Sequence, residues 1–146
     1  MKILQGLDNS LQPLLYLVSA CLVGLKTRYD GAARASEPCL LRLAGVQWIP
    51  VCPEQLGGLS TPRLAADLVG GDGFAVLGGR AKVLRRDGVD VTEQFLLGAY
   101  QVLAIVEAQP VAGVILKSGS PSCGLSPLIG VTAALLSNRG ITVEEI

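Results

Sequence analysis

The sequence predicts a single α/β domain: a three-layer, Rossmann-like, mostly parallel sheet flanked by helices, with a small β-hairpin insertion. Three observations predict it. Short runs of Leu, Val and Ile without polar alternation, at Leu14–Ser19, Val46–Val51 and Val111–Leu116, have the character of strands buried on both faces. Segments with helical spacing and capping residues separate them, and that alternation gives right-handed crossovers and parallel pairing. The 146 residues are 50% hydrophobic and 16% charged, one domain's worth of chain with an ample core. A chain of this size buries roughly 68–70% of its unfolded surface, so folding alone requires neither a disulfide nor a metal.

The elements follow in order. Met1–Pro13 shows no period and reads as an N-terminal extension, leaving 14–146 as the domain. Leu14–Ser19 is the first strand. Val18-Ser-Ala-Cys21 has the form of a bacterial lipoprotein cleavage site, but Asp8, Asn9, Ser10, Gln12 and Pro13 interrupt the stretch before it. A signal needs an unbroken apolar region of roughly 7–15 residues, so a buried strand is the better reading. Ala20–Ala35 is a loop. Ser36 caps a short helix with Pro38 in its first turn, and Gly45 ends it. Val46–Val51 is the second strand, with Pro50 marking an edge or a terminus. Cys52–Gly79 reads as a long Gly- and Pro-rich loop, of the kind that carries function. Ala81–Arg86, Asp87-Gly88 and Val89–Val91 form the hairpin. Asp90-Val-Thr-Glu93 is a capping box, with Thr92 as a rival cap. The helix it opens runs to about Ala108 and buries Phe95, Ala99, Val102 and Val106 at helical spacing. Pro110 stops it. Val111–Leu116 is the third strand, Val131–Arg139 a helix ended by Gly140, and Ile141–Val143 a last short strand.

Composition narrows the chemistry. The chain has no histidine, which removes Ser-His-Asp and Cys-His catalysis and leaves Asp, Glu, Lys or Tyr as the general base. Its formal net charge is zero, unlike a nucleic-acid coat, which needs an excess of Lys and Arg. Four cysteines without a secretory signal point to reduced thiols and a cytoplasmic setting. No run approaches the roughly 20 apolar residues of a membrane span.

Ligands of open parallel sheets bind beyond the carboxyl ends of the strands. Cys21, Cys52 and Cys123 each follow such an end within one to seven residues, whereas Cys39 lies inside a helix and reads as a small buried side chain. Three thiolates without histidine suit zinc or an iron–sulfur cluster. The spacing contains no CxxC pair, and three unrelated buried thiols explain these residues equally well. Glu54, Lys117, Ser118, Ser120 and Ser122 gather at the same edge, with Lys26, Arg28, Asp30, Arg34 and Arg63. For Lys26, Arg34 and Arg63 a solvated loop position is at least as good a reading. The edge is net basic and suits a small anion or a thiolate-like ligand.

Three rival readings stay open. Cys21 followed by Arg28 is one residue too long for the phosphate loop of a cysteine phosphatase. The Lys117–Gly124 loop would serve a nucleotide- or anion-binding module, although the glycines complete no dinucleotide fingerprint. Structural zinc would take three thiolates with water or Cys39.

From Tyr16 to Val143 the chain resembles the domain-of-unknown-function family 523, the 2-thiouracil desulfurase family. The matching blocks, in order, are Val18-Ser-Ala-Cys-Leu-Val-Gly24 with Arg28-Tyr-Asp-Gly31, Val51-Cys-Pro-Glu-Gln-Leu-Gly-Gly-Leu59 with Thr61-Pro-Arg63, and Gly88-Val-Asp-Val-Thr92 with Phe95 and Gly98-Ala99. Ile115-Leu-Lys117 with Ser120-Pro-Ser-Cys-Gly124, then Gly130-Val-Thr-Ala-Ala-Leu135, complete the set. The resemblance implies a [4Fe-4S] cluster held by Cys21, Cys52 and Cys123. It also implies a non-redox desulfuration of a thiolated pyrimidine or related small thioamide, the substrate sulfur taken at the open iron. Glu54 would activate water, while Ser120, Ser122 and Lys117 would bind the pyrimidine or offset its charge. Ser19, Arg28 and Asp30 are the expected substrate contacts. The chain departs from the family pattern before Gly130, where the linking segment is only Leu125–Ile129, and in its N-terminal extension.

Overall fold

The computed structural model describes residues 14–32 and 34–146; the expected extension, 1–13, lies outside the described residues. Its centre is a four-stranded sheet in the order β2-β1-β5-β6. The strands are β1 (Leu15–Ser19), β2 (Gln47–Val51), β5 (Gly113–Leu116) and β6 (Val143–Glu145), and every pairing is parallel. The runs of β1 and β5 are legible because both of their faces are covered, whereas β2, expected to be buried on both faces, lies at the sheet edge and is exposed at Gln47, Trp48 and Pro50. Leu17, Val114 and Leu116 belong to one buried cluster, while Val18 and Ile115 belong to another. Successive side chains on a strand point to opposite faces, so one run of apolar residues feeds two helical layers.

One layer holds α1 (Glu37–Arg42). Ser36 accepts the Cys39 N–H at 3.2 Å, and Cys39 packs with Val18, Leu22, Leu43 and Ile115. The other layer holds α4 (Thr92–Ala108) and α5 (Val131–Asn138). Phe95, Ala99 and Val102 are buried as their spacing predicts, with Val106 at the margin. The expected capping box forms differently. Asp90 Oδ1 accepts the Thr92 N–H at 2.9 Å, and Thr92 Oγ1 accepts the Val83 N–H at 2.9 Å. The cap residue itself is Val91 and offers no side-chain bond.

The stretch expected to be one long loop is structured. It contains α2 (Pro53–Leu56), β3 (Ala66–Val69) and α3 (Gly73–Leu77), the last capped by Asp72 through the Ala75 N–H. The hairpin is therefore built from other partners. β4 (Lys82–Arg85) pairs antiparallel with β3, and the expected arm Val89–Val91 supplies only an isolated bridge between Leu84 and Asp90. The Asp87-Gly88 turn is present, with Gly88 at φ 89°. Asp90 then ends the extended run by capping the start of α4. The last strand lies two residues later than expected, because the Ile141 N–H stays bonded to Leu136 O at the end of α5.

The packing that places the site is the contact of α2 on α4. Gly57 and Gly98 meet there, so that a Cβ on Gly98 would collide with the Pro53 carbonyl and one on Gly57 with the Gln94 carbonyl. Backbone this close leaves no room for a methyl group. Gly98→Ala is expected to cost about 1–3 kcal/mol and to lower the melting temperature by several degrees. An unchanged melt would show that α2 moves aside without strain.

Candidate cysteine-lined active site

Three strand ends build one cavity of about 260 Å³. β1 runs into a 3₁₀ turn, Ala20–Val23, which carries Cys21 and is closed by Gly24 at φ 95°, a conformation that glycine adopts without strain. β2 ends at Val51, and Cys52 is the residue before α2, so Glu54 lies in the first turn of that helix. β5 ends at Leu116 and leads through Lys117–Gly124 to α5. The start of α5 grips this loop: Val131 N–H bonds to Pro121 O, and the Thr132 and Ala133 N–H groups both bond to Ser122 O. Gly130 makes the approach possible, since a Cβ there would collide with the Ser122 carbonyl.

Cys21, Cys52 and Cys123 all line the cavity. Cys39 does not; it is buried behind Cys21 in the cluster beside α1. All four cysteines are free thiols. Cys52 Sγ lies 3.7 Å from Thr27 O, and Cys123 Sγ lies 3.6 Å from Ser122 Oγ. Burial pushes the Cys21 thiol up from its ordinary value, and neighbouring Cys52 adds to the shift, against the pull of Lys117 and Arg28. Burial pushes Cys123 up to about 12, against hydrogen bonds from Ser122 and Ser19. Cys21 and Cys123 thus stay protonated at neutral pH unless a bound cation takes the place of the proton.

The donor set fits a [4Fe-4S] cluster. It is soft, cysteine-only and drawn from three loops that open on one space. Among the described residues no group of three or more Cys, Asp or Glu side chains closes around a single ion. Cys21, Cys52 and Cys123 line the same cavity, and a cluster bound there would be held through these three thiols.

A polar chain runs between the loops that carry Cys52 and Cys123. Glu54 Oε1 accepts from Arg63 Nε at 2.9 Å, and Glu54 Oε2 accepts from Ser122 Oγ at 3.3 Å. Ser122 and Ser120 share a hydrogen bond of 3.0 Å, and Ser120 Oγ also accepts the Ser122 and Cys123 N–H groups. Ser19 lies on the wall with its hydroxyl oxygen accepting the Lys117 N–H at 2.9 Å. Lys117 and Arg28 line the cavity as expected. Asp30 does not: it is exposed, and its Oδ1 accepts the Ala32 N–H. Lys26 and Arg34 are also outside the lining. Thr27, Asp67 and Arg86, which the sequence did not single out, are also on the walls, and Arg63, for which a solvated loop position was at least as good a reading, lines the cavity as well. The Arg63 side chain is only 7% exposed. Asp67 and Arg86 reach the site because β3 and β4 wall it. Ala66–Val69 alternate in burial, but the four residues Ala-Asp-Leu-Val are too few for that period to show in the sequence. The short Leu125–Ile129 segment is not part of the lining; Leu125 and Ile129 pack on the core.

The same bonds weigh against two rivals. A phosphate loop aims its amides at the anion, but the Gly24 N–H bonds to Cys21 O and the Leu25 N–H to Ala20 O. In the Lys117–Gly124 loop the amides of Ser122, Cys123 and Gly124 turn inward to Ser120.

Fold and site together define a three-layer α/β protein with a cavity lined by three cysteines and a carboxylate. The chain belongs to the 2-thiouracil desulfurase family, whose model matches residues 16–145. It is 41% identical over 141 residues to the uncharacterized protein YbbK of Bacillus subtilis (strain 168), across 88% of this chain and 93% of that protein. It is also similar to a solved structure of the [4Fe-4S]-dependent thiouracil desulfidase TudS. That match has a TM-score of 0.73 and 34% identity over 92% of this chain and 90% of the other.

The buried thiol makes the metal-free protein sensitive to alkali. The Cys123 value is raised from 9.0 to about 12 on folding, so the folded state holds the proton more tightly than the unfolded chain. That contribution is complete below pH 9 and is lost as pH rises toward 12. Metal-free wild type is expected to lose stability across this window, and Cys123→Ser to show a shallower slope in denaturant melts at successive pH values. Identical slopes would mean that the thiol is not desolvated.

Proposed function

We propose that the protein is an iron–sulfur-dependent desulfidase that removes the sulfur of a thiolated pyrimidine, 2-thiouracil or a related small thioamide. The observation that carries this reading is one cavity shared by three loop cysteines and a carboxylate, in a chain of the 2-thiouracil desulfurase family. Cys21, Cys52 and Cys123 would hold the cluster. With only three protein ligands, a [4Fe-4S] cluster supplies an open iron as Lewis acid and sulfur acceptor. The overall change is hydrolytic: thiocarbonyl and water give carbonyl and hydrogen sulfide, with no net electron transfer.

The protein's own groups divide the remaining tasks. Glu54 is the general base that takes the proton of the attacking water; no histidine competes for the role. Its Oε1 is fixed by Arg63, which leaves Oε2 on the Ser122 side, beside Cys123. Ser120 and Ser122 are the hydroxyls placed to orient water or the base. Lys117 and Arg28 offset the negative charge that grows as water adds. Ser19 acts through Lys117, whose amide it holds.

The partner is read as a small thiolated base free of nucleic acid, in keeping with the cavity size and the zero net charge. Among the described residues no helix is long and apolar enough to cross a membrane. Four free thiols suit the reducing cytoplasm. Anaerobic protein is expected to release sulfide from 2-thiouracil. Glu54→Gln should lose roughly 10²–10⁴-fold in rate while keeping its iron. A Gln variant at wild-type rate removes Glu54 as the base, and one that loses iron makes it a support of the cluster loop.

A further inference from the structure

A solvated loop position was at least as good a reading of Arg63, yet its guanidinium has the densest set of partners in the site. Nε donates to Glu54 Oε1 at 2.9 Å. Nη1 donates to Thr61 Oγ1 at 2.7 Å and to Ser60 O at 3.2 Å. Nη2 donates to Thr27 O at 2.9 Å and comes within 4.0 Å of Cys52 Sγ. The Arg63 backbone N–H adds a bond to Tyr29 O at 2.7 Å. One residue thus binds the loop after β1 at Thr27 and Tyr29, and the start of α2 at Glu54. Through Glu54 and Ser122 it reaches the loop after β5.

We propose that Arg63 is the positioning residue of this site. It aligns Glu54 for proton transfer and latches the Thr27–Tyr29 segment against α2, without itself contacting the reacting atoms. The planar fork is what the position requires, because three directions of donation leave a single charge-bearing plane. A lysine ammonium could satisfy Glu54 or Thr27 O, but could not span both in that plane. With its donors engaged by protein acceptors, Arg63 is less suited to substrate binding than Lys117 or Arg28.

The inference rests on the desulfidase reading for its kinetic test and on geometry for its structural one. Arg63→Gln, Arg63→Lys, Glu54→Gln and the double variant Arg63→Gln/Glu54→Gln are compared as holoenzymes for iron content and for kcat and KM on 2-thiouracil. Crystal structures of the Arg63 variants accompany them. Arg63→Gln and Arg63→Lys are expected to keep their iron and lose roughly 10–100-fold in kcat, with KM little changed. The double variant should be no slower than Glu54→Gln alone, since a residue acting through Glu54 has nothing left to act on. Losses that multiply, or Arg63→Lys at wild-type rate, overturn the proposal. If wild type releases no sulfide from 2-thiouracil, the desulfidase reading fails by itself. The crystal structures then decide the role of Arg63: a Glu54 carboxylate swung away from Ser122 in Arg63→Lys supports it, and one still in place overturns it.

Discussion

The site depends on the buried ion pair of Arg63 and Glu54, whose side chains are 7% and 16% exposed. Taking two charges out of water is costly, and their attraction compensates only where the remaining donors and lone pairs are also satisfied. Here they are. The guanidinium reaches two backbone carbonyls and a threonine hydroxyl, and the second carboxylate oxygen takes the Ser122 hydroxyl. This network joins the three cysteine loops to one another, through Thr27, Glu54 and Ser122. Breaking any part of it would leave a charge unpaired inside the protein, which is a strong reason for the loops to keep their mutual geometry.

The sheet supplies the other half of the constraint. Parallel strands with helices on both faces send successive chain segments out at one edge, and three of those exits carry a cysteine. Glycine then sets the distances. Gly57 against Gly98 lets α2 sit close on α4, and Gly130 lets α5 reach the Ser122 carbonyl. The first contact fixes Cys52 and Glu54; the second fixes Ser122 and Cys123. Rigid elements thus hold the donors, and the polar network aligns them with one another.

The strands and the long helix were legible because their signals are local: apolar runs for β1 and β5, and 3.6-residue spacing for Phe95, Ala99 and Val102. The separation of Cys39 from the other thiols was also legible, since it sits within a helical segment and, unlike them, does not follow the carboxyl end of a strand. The region from Cys52 to Gly79 was not read correctly. Its elements are four or five residues long and bounded by Gly and Pro, too short for a period to show, so tertiary pairing of β3 with β4 decides them. The burial of Arg63 was not legible for a related reason. A buried arginine has the same local sequence appearance as a solvated one, and only the distant acceptors at Thr27 and Glu54 tell them apart.

The most direct measurement is iron and acid-labile sulfide after anaerobic reconstitution, in wild type beside Cys21→Ser, Cys52→Ser, Cys123→Ser and Cys39→Ser. A three-cysteine cluster site requires about four irons per chain in wild type, their loss in the first three variants and their retention in Cys39→Ser. Wild type without iron, or a Cys39→Ser variant that loses it, would contradict that site.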